Sequence, residues 1–244
     1  MTRVKAPQAP KLASGPRASV LVTTYNWPAA FEKVLWSFFA QNRRNFELVI
    51  ADDGSRPETA ELIARMAEVS PVPIRYVWQP DAGFGKCRIL NKALALSQAE
   101  RIVVTDGDCV VMDDFVDTHI RRARPGRFLS GSYFKQSQAV SDAITPQGIA
   151  DQSVFTPRWL AAQGVSWGRL VKVMGDGWRW RLLDRIGGGR LTRAALGVDQ
   201  WLDAEGAARL ATEERLTDYP AVSGAFRSGP ALIAPVWRNA DRTA

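Results

Sequence analysis

An α/β fold, a mostly parallel sheet flanked by helices, is predicted by three observations. Short apolar runs begin at Ser19, Phe46, Ile74 and Ile102, and segments with helical spacing separate them. The run Ile102, Val103, Val104, Thr105 has three consecutive apolar residues and a β-branched fourth, which reads as a strand covered on both faces. Three of the runs end in polar clusters that cannot belong to a core: "TTYN" at 23–26, "DDGS" at 52–55 and "DGDC" at 106–109.

The elements follow in order. "SVLVTT", 19–24, is the first predicted strand, and Pro28 opens a helix to about Asn42 that sets Phe31, Val34, Leu35, Phe38 and Phe39 at core spacing. "FELVIAD", 46–52, is the second strand. Pro57 starts a helix to about Val69, "IRYVWQ", 74–79, is the third strand, and "CRILNKALALSQ", 87–98, reads as a helix. The fourth strand ends at Asp106, and "RFLSGSYF", 127–134, is expected to be a further one. In an open parallel sheet, ligands bind just outside the carboxyl ends of the strands, so the three polar clusters should face one crevice.

With 244 residues, 46% of them hydrophobic and 23% charged, the chain can bury a substantial core. A formal net charge of +7 suits an anionic partner such as a nucleotide or a lipid phosphate surface. Nucleic acid is not expected, because no recognised module accompanies the charge. Cys87 and Cys109 have no metal-ligand spacing, which leaves a zinc site or disulfide framework without support and a cytoplasmic location as the expectation. His119, the single histidine, is expected to be a surface or packing residue and not a catalyst. Residues 1–17 read as a disordered basic tail, and no stretch approaches the roughly 20 apolar residues of a spanning helix.

Two carboxylates one residue apart, Asp106 and Asp108, need a reason. Gly107 between them permits a turn that brings both toward one point, and like charges that close call for a cation. Mg2+ or Mn2+ prefers hard oxygen donors and is commonly held by one or two carboxylates together with substrate phosphates. The alternative is a solvated turn with helix-capping aspartates, the type shown by Asp113 and Asp114. Asp52 and Asp53 could accept from a base N–H or a ribose hydroxyl, and Thr23, Tyr25 and Asn26 could line the same pocket. In "QPDAGFGKCR", 79–88, Lys86 and Arg88 stand at a helix start, where they either offset diphosphate charge or are plain solvated first-turn residues. The glycines there form neither a dinucleotide fingerprint nor a P-loop.

"SVLVTTYN", "FELVIADDGS", "WQPDAGFGKCRILNKAL" and "VVTDGD", in this order and at these intervals, resemble the amino-terminal half of family 2 glycosyltransferases with the GT-A fold, over residues 19 to about 135. The third block is similar to bacterial members that build lipopolysaccharide core or capsule. The resemblance implies a Rossmann-like nucleotide-sugar-binding half at 18–135, with Thr23, Tyr25 and Asp53 at the nucleoside and Lys86 or Arg88 near the diphosphate. Asp106 and Asp108 would be the D-x-D pair holding Mn2+ or Mg2+. It further implies a nucleoside diphosphate sugar donor, UDP-linked, and inversion at the anomeric carbon.

Family members carry a catalytic base downstream in an acidic-pair segment that has no clear counterpart here. Asp199 in "GVDQWLDAEG" is the first choice of base, with Asp203, Glu205 and Asp176 also available, against the alternative that all are helix caps or surface charges. That departure makes a nonenzymatic nucleotide-sugar binder the second reading. A haloacid dehalogenase-type phosphatase is disfavoured, since its D-x-D ends the first strand and is followed by Thr or a similar residue. Residues 136–190 are expected to be a basic, Trp-rich, acceptor-side or membrane-facing segment. In it Trp167, Trp178 and Trp180 interleave with Arg169, Lys172, Arg179 and Arg181, a mixture suited to an anionic membrane surface or a glycolipid acceptor. Leu170, Val171, Val173, Met174, Leu182 and Leu183 could equally be the buried stripe of an ordinary helix. The region 191–244 is expected to be divergent, truncated or frame-shifted after about Gly189. Together these readings give a cytoplasmic protein peripheral to the inner face of the membrane.

Overall fold

The computed structural model describes residues 15–123, 132–165 and 233–236. Four strands, β1 (Ala18–Thr24), β2 (Phe46–Asp52), β3 (Ile74–Trp78) and β4 (Ile102–Asp106), form one sheet in the order β3-β2-β1-β4. All three pairings are parallel. Helices α1 (Pro28–Phe39), α2 (Pro57–Glu68) and α3 (Lys86–Leu96) make the crossovers, as the alternation of strand and helix patterns predicts.

The order places the topological switch between β2 and β4, on either side of β1, which is where an open α/β sheet forms its ligand crevice. Register sharpens this. Thr24 is opposite Asp52, Asp52 is opposite Trp78, and Thr23 is opposite Asp106, so the carboxyl ends of all four strands, three of them polar, finish at one level.

Side-chain alternation along the strands divides the core into two faces. Val20, Val22, Leu48, Ile50 and Val103 pack with Phe31, Val34, Leu35 and Phe38 of α1 and with Leu62, Ile63 and Met66 of α2. Leu21, Val49, Ala51 and Ile102 pack on the other side with Ile89, Ala93 and Leu94 of α3. Every residue of β1 and β2 is therefore buried, whereas β3, at the sheet edge, is half exposed.

Two helices stop earlier than their apolar spacing predicts, for reasons outside the helices. After α1, Asn42 N–H donates to Asp113 O at 2.8 Å, and the Gln41 side chain donates to Met112 O at 2.6 Å and accepts from Val116 N–H at 2.9 Å. After α3, Gln98 N–H donates at 2.6 Å to Glu47, a β2 carboxylate that also accepts from Ser19 and from Arg75. Long-range partners end each helix ahead of its sequence signal.

Beyond β4, α4 (Phe115–Arg122) buries His119 completely, its ring 4.5 Å from that of Phe115. Of the two places expected for this histidine, packing is the one observed; burial depresses its pKa to about 3, so the ring is neutral at ordinary pH. Asp114 occupies the cap position of α4 without making a side-chain cap bond. The further strand expected at 127–134 is observed as β5 (Ser132–Lys135), paired in parallel with β6 (Ile233–Val236) in a separate two-stranded sheet. Short helices α5 (Gln138–Ala143), α6 (Pro146–Ala150) and α7 (Pro157–Ala162) follow β5, each entered through a Ser or Thr cap. Residues 136–165 were expected to begin the acceptor-side segment; they contribute Ile144, Ile149, Val154 and Phe155 to the core beneath α1. At the other end, Arg17, the last residue of the expected tail, donates its N–H to Asn45 O at 2.7 Å.

Candidate functional site

Each strand end contributes a group to the crevice, and hydrogen bonds between loops hold those groups in place. At the end of β1, Asn26 has φ +47°, a left-handed conformation that asparagine tolerates better than most residues. That turn lets its N–H donate to Ser55 Oγ at 2.9 Å while its Oδ1 accepts from Arg56 N–H at 2.8 Å. The β1 and β2 ends are thereby joined.

The two aspartates of "DDGS" do different things. Asp52 has no exposed surface; its carboxylate accepts from Ser55 N–H at 2.8 Å and from the Tyr76 hydroxyl at 2.8 Å. Expected to meet a ligand, Asp52 instead holds the loop and the edge strand from inside the protein. Asp53 faces the next loop. Its Oδ2 accepts from Gly85 N–H at 2.8 Å and its Oδ1 from Gln79 Nε2 at 2.6 Å, while the same Gln79 nitrogen donates to Gly85 O at 3.2 Å.

Two glycines are required by close approach. A Cβ on Gly85 would lie 2.6 Å from Gln79 Nε2 and 2.7 Å from Asp53 Oδ1, and one on Gly54, at φ +95°, would lie 2.6 Å from the Asp81 backbone. The loop 79–85 is thus closed against the end of β2. Asp81 adds a further tie by accepting from the Tyr25 hydroxyl at 2.9 Å, and this bond, followed by burial, raises the Tyr25 pKa.

At the end of β4, Asp106 Oδ1 accepts from Thr23 Oγ1 at 3.1 Å and is ion-paired with the Lys86 ammonium. Lys86 is the first residue of α3 and follows Gly85 directly. One peptide link therefore joins the backbone that Asp53 grips to the cation that Asp106 grips. Asp108 lies one turn on, where Cys109 N–H donates to Asp106 O at 3.2 Å and the Cys109 thiol is 3.6 Å from Asp108 Oδ1. Burial, then the negative charge of Asp106, raises the Asp108 pKa to about 6.

Gly107 serves this turn differently from expectation. Its φ is not in the left-handed range; what excludes a side chain is the end of β1, because a Cβ would sit 2.3 Å from Thr23 O and 3.0 Å from Phe31 Cδ2. The absence of a side chain lets the acidic turn close onto Thr23.

Of the residues expected at the site, Thr23, Tyr25, Asn26, Asp53, Lys86, Asp106 and Asp108 are brought to the crevice by this web of contacts. Arg88 is exposed on α3 and, among the described residues, no contact ties it to the crevice, which fits the solvated first-turn alternative. Asp199, Asp203, Glu205, Asp176 and the segment containing Trp167, Trp178 and Trp180 lie outside the described residues. Sequence reading missed Gln79 and Asp81. The signal for Asp81 was the D-x-G turn, in which its carboxylate accepts from Gly83 N–H at 3.0 Å. Gln79, 3% exposed, has no comparable pattern.

The donor chemistry can be tested against a divalent cation. Among the described residues no cluster of three or more His, Cys, Asp or Glu side chains forms a complete protein cage. Asp106 and Asp108 instead offer two carboxylates, and burial, with repulsion from Asp106 second to it, raises the Asp108 pKa. Mg2+ and Mn2+ sites that share a phosphate ligand need no more than this from the protein, so the pair fits such an ion.

The family model described as glycosyl transferase family 2 matches residues 19–194, which takes in all of the four-stranded sheet after Ala18 and every residue of this crevice. The chain belongs to glycosyltransferase family 2. Within this family 2 chain, 94 residues are 29% identical to an uncharacterized glycosyltransferase of Nostoc sp., a match covering 38% of the chain and 29% of that relative. The hyaluronan synthase of Pasteurella multocida is 33% identical over 91 residues, 37% of the chain and 9% of the synthase. Among solved structures, the mannosyltransferase PcManGT from Pyrobaculum calidifontis, in complex with GDP-Man and Mn2+, is 26% identical with a TM-score of 0.45, over 59% of this chain and 39% of that one. The match spans less than a third of the length of either curated relative. The mostly parallel sheet flanked by helices is the arrangement expected from the resemblance, and the family sets the phosphatase reading aside.

Proposed function

We propose that this family 2 chain transfers a sugar from a nucleoside diphosphate sugar, with uridine as the nucleoside, to a hydroxyl of an envelope glycan or glycolipid. The observation that carries the reading is the continuous link from Asp53 through Gly85 and Lys86 to Asp106, across the switch point of the sheet. It supports a ligand with a hydrogen-bonding ring at one end and a polyanion at the other.

In this reading Asp53 and Tyr25 hold the nucleoside, Thr23 orients Asp106, and Lys86 meets the diphosphate from the start of α3, where backbone N–H groups also favour an anion. Asp106 and Asp108 would hold Mn2+ or Mg2+, which when bound supplies Lewis-acid stabilisation of the departing diphosphate. The acceptor oxygen bonds the anomeric carbon as the bond to diphosphate breaks on the opposite face, and the hydroxyl proton passes to a carboxylate, for which Asp199 is the proposed base. The configuration is inverted in one displacement.

Envelope or capsule assembly at the inner face of the membrane is the proposed setting. The basic, aromatic composition of 167–181 and the family's polysaccharide synthase relative support it. Among the described residues no helix is long and apolar enough to cross a membrane. Co-sedimentation with anionic vesicles at low salt tests the location.

Melting temperatures measured with a panel of nucleoside diphosphate sugars, with and without Mn2+, test the donor reading. A stabilising shift that needs both sugar nucleotide and metal, and that Asp108→Ala removes, is expected. A shift that persists in Asp108→Ala would take that residue out of the metal site. Donor binding without transfer to any acceptor would favour the nonenzymatic binder, a reading supported by the lack of a recognisable acidic-pair motif downstream.

A further inference from the structure

Resting on that proposed function, the pairing of Lys86 with Asp106 carries one step further. Oδ1 of Asp106 accepts from both Thr23 Oγ1 and the Lys86 ammonium. A divalent ion on that oxygen and an ammonium on the same oxygen repel each other, so the two cations compete for one position. We infer that Lys86 is a displaceable occupant of the metal position, which holds Asp106 until a diphosphate draws the ammonium away.

The surroundings of Lys86 suit such an exchange. Its backbone is fixed, because Gly85 before it is held by Asp53 at 2.8 Å and through its carbonyl by Gln79 at 3.2 Å. Its side chain is a compact charge on a flexible four-carbon stem, able to change partners without moving the helix. The alternative partner is close at hand, since Lys86 is the first residue of an 11-residue helix whose amino end attracts anions. Movement from Asp106 to a diphosphate oxygen would release Oδ1 of the carboxylate, which is already half exposed, as the polyanion arrives with its own metal ligands. Metal and nucleotide are then taken up together, and each raises the affinity for the other by the same factor.

Calorimetric titration of Mn2+ into the full chain tests this, alone and at saturating uridine or guanosine diphosphate, for wild type, Lys86→Gln and Lys86→Arg. Removing the ammonium should strengthen binding of Mn2+ alone about tenfold, while the gain produced by nucleotide shrinks. Lys86→Arg keeps the charge and should bind Mn2+ alone as weakly as wild type. A merely structural lysine would not give an affinity that rises on its removal. Unchanged or weaker binding of Mn2+ alone by Lys86→Gln, with nucleotide-dependent binding intact in wild type, would overturn the exchange and leave the donor reading standing. No Mn2+ binding by wild type with either nucleotide would overturn the metal site itself, and the exchange with it.

Discussion

Replacing Asp108 by Asn keeps the size of the side chain and removes one of the two charges in the turn after β4. The Asp108 pKa is raised from 3.8 to about 6, mainly by burial and then by Asp106. The folded chain therefore holds this proton more tightly than the unfolded chain does, and stability falls as pH rises from about 3.8 through about 6. Above that range the whole cost is present. At about 1.4 kcal/mol per tenfold change in proton affinity, the charged carboxylate costs the fold up to about 3 kcal/mol at pH 8 and under about 1 kcal/mol at pH 4. Asp108→Asn should recover that difference, which for a domain of this size corresponds to a melting temperature about 8 °C higher at pH 8. Thermal melts of both proteins in a chelator, at pH 4 and pH 8, measure it; any packing effect of the amide is common to both conditions and cancels. Added Mn2+ with uridine diphosphate should then stabilise wild type alone. An equal gain at both pH values, or a variant less stable at pH 8, would refute the electrostatic account of the turn.

Other changes probe the same structure from different sides. Gly107→Ala puts a Cβ against Thr23 O, a backbone atom 2.3 Å away, so β4 must shift from β1; urea melts should show a loss of about 2 kcal/mol, and the Mn2+-dependent nucleotide shift should disappear. His119 has the opposite linkage to Asp108. Its pKa is depressed to about 3, so the unfolded chain binds the proton first as pH falls below 6.5, and stability is lost toward acid. His119→Leu should therefore lose about 3 kcal/mol less than wild type between pH 7 and pH 4.5, read from urea melts at the two values; equal losses would show that the buried ring is not the acid-sensitive group.

Much of this was legible because strand and crevice obey short-range rules. The Pro-initiated helices, the apolar strands and the polar strand ends are local signals, and parallel register then lines up Thr24, Asp52 and Trp78 without further information. What sequence could not supply was partner choice. Asp52 and Asp53 are neighbours with the same chemistry, yet one is enclosed by Ser55 and Tyr76 while the other reaches Gly85 and Gln79. Strand alternation says they diverge; only the path of the loop at 79–85 says toward what. Gln79 escaped for the same reason, being an ordinary polar residue until the chain folds Gly85 beneath it. The role of Gly107 was also non-local, set by the carbonyl of Thr23 on another strand.

The central position of β1 has a consequence for how the crevice comes into being. Its partner β4 is the last strand of the sheet to be synthesised, and the Thr23–Asp106 bond closes a separation of 83 residues. Contacts that distant are costly in loop entropy and late to form. Until β4 arrives, one side of β1 is an open row of backbone donors and acceptors, the kind of edge that recruits other chains. Assembly of the acidic turn and protection of that edge are thus a single event, and a nascent chain halted before Asp106 would lack both.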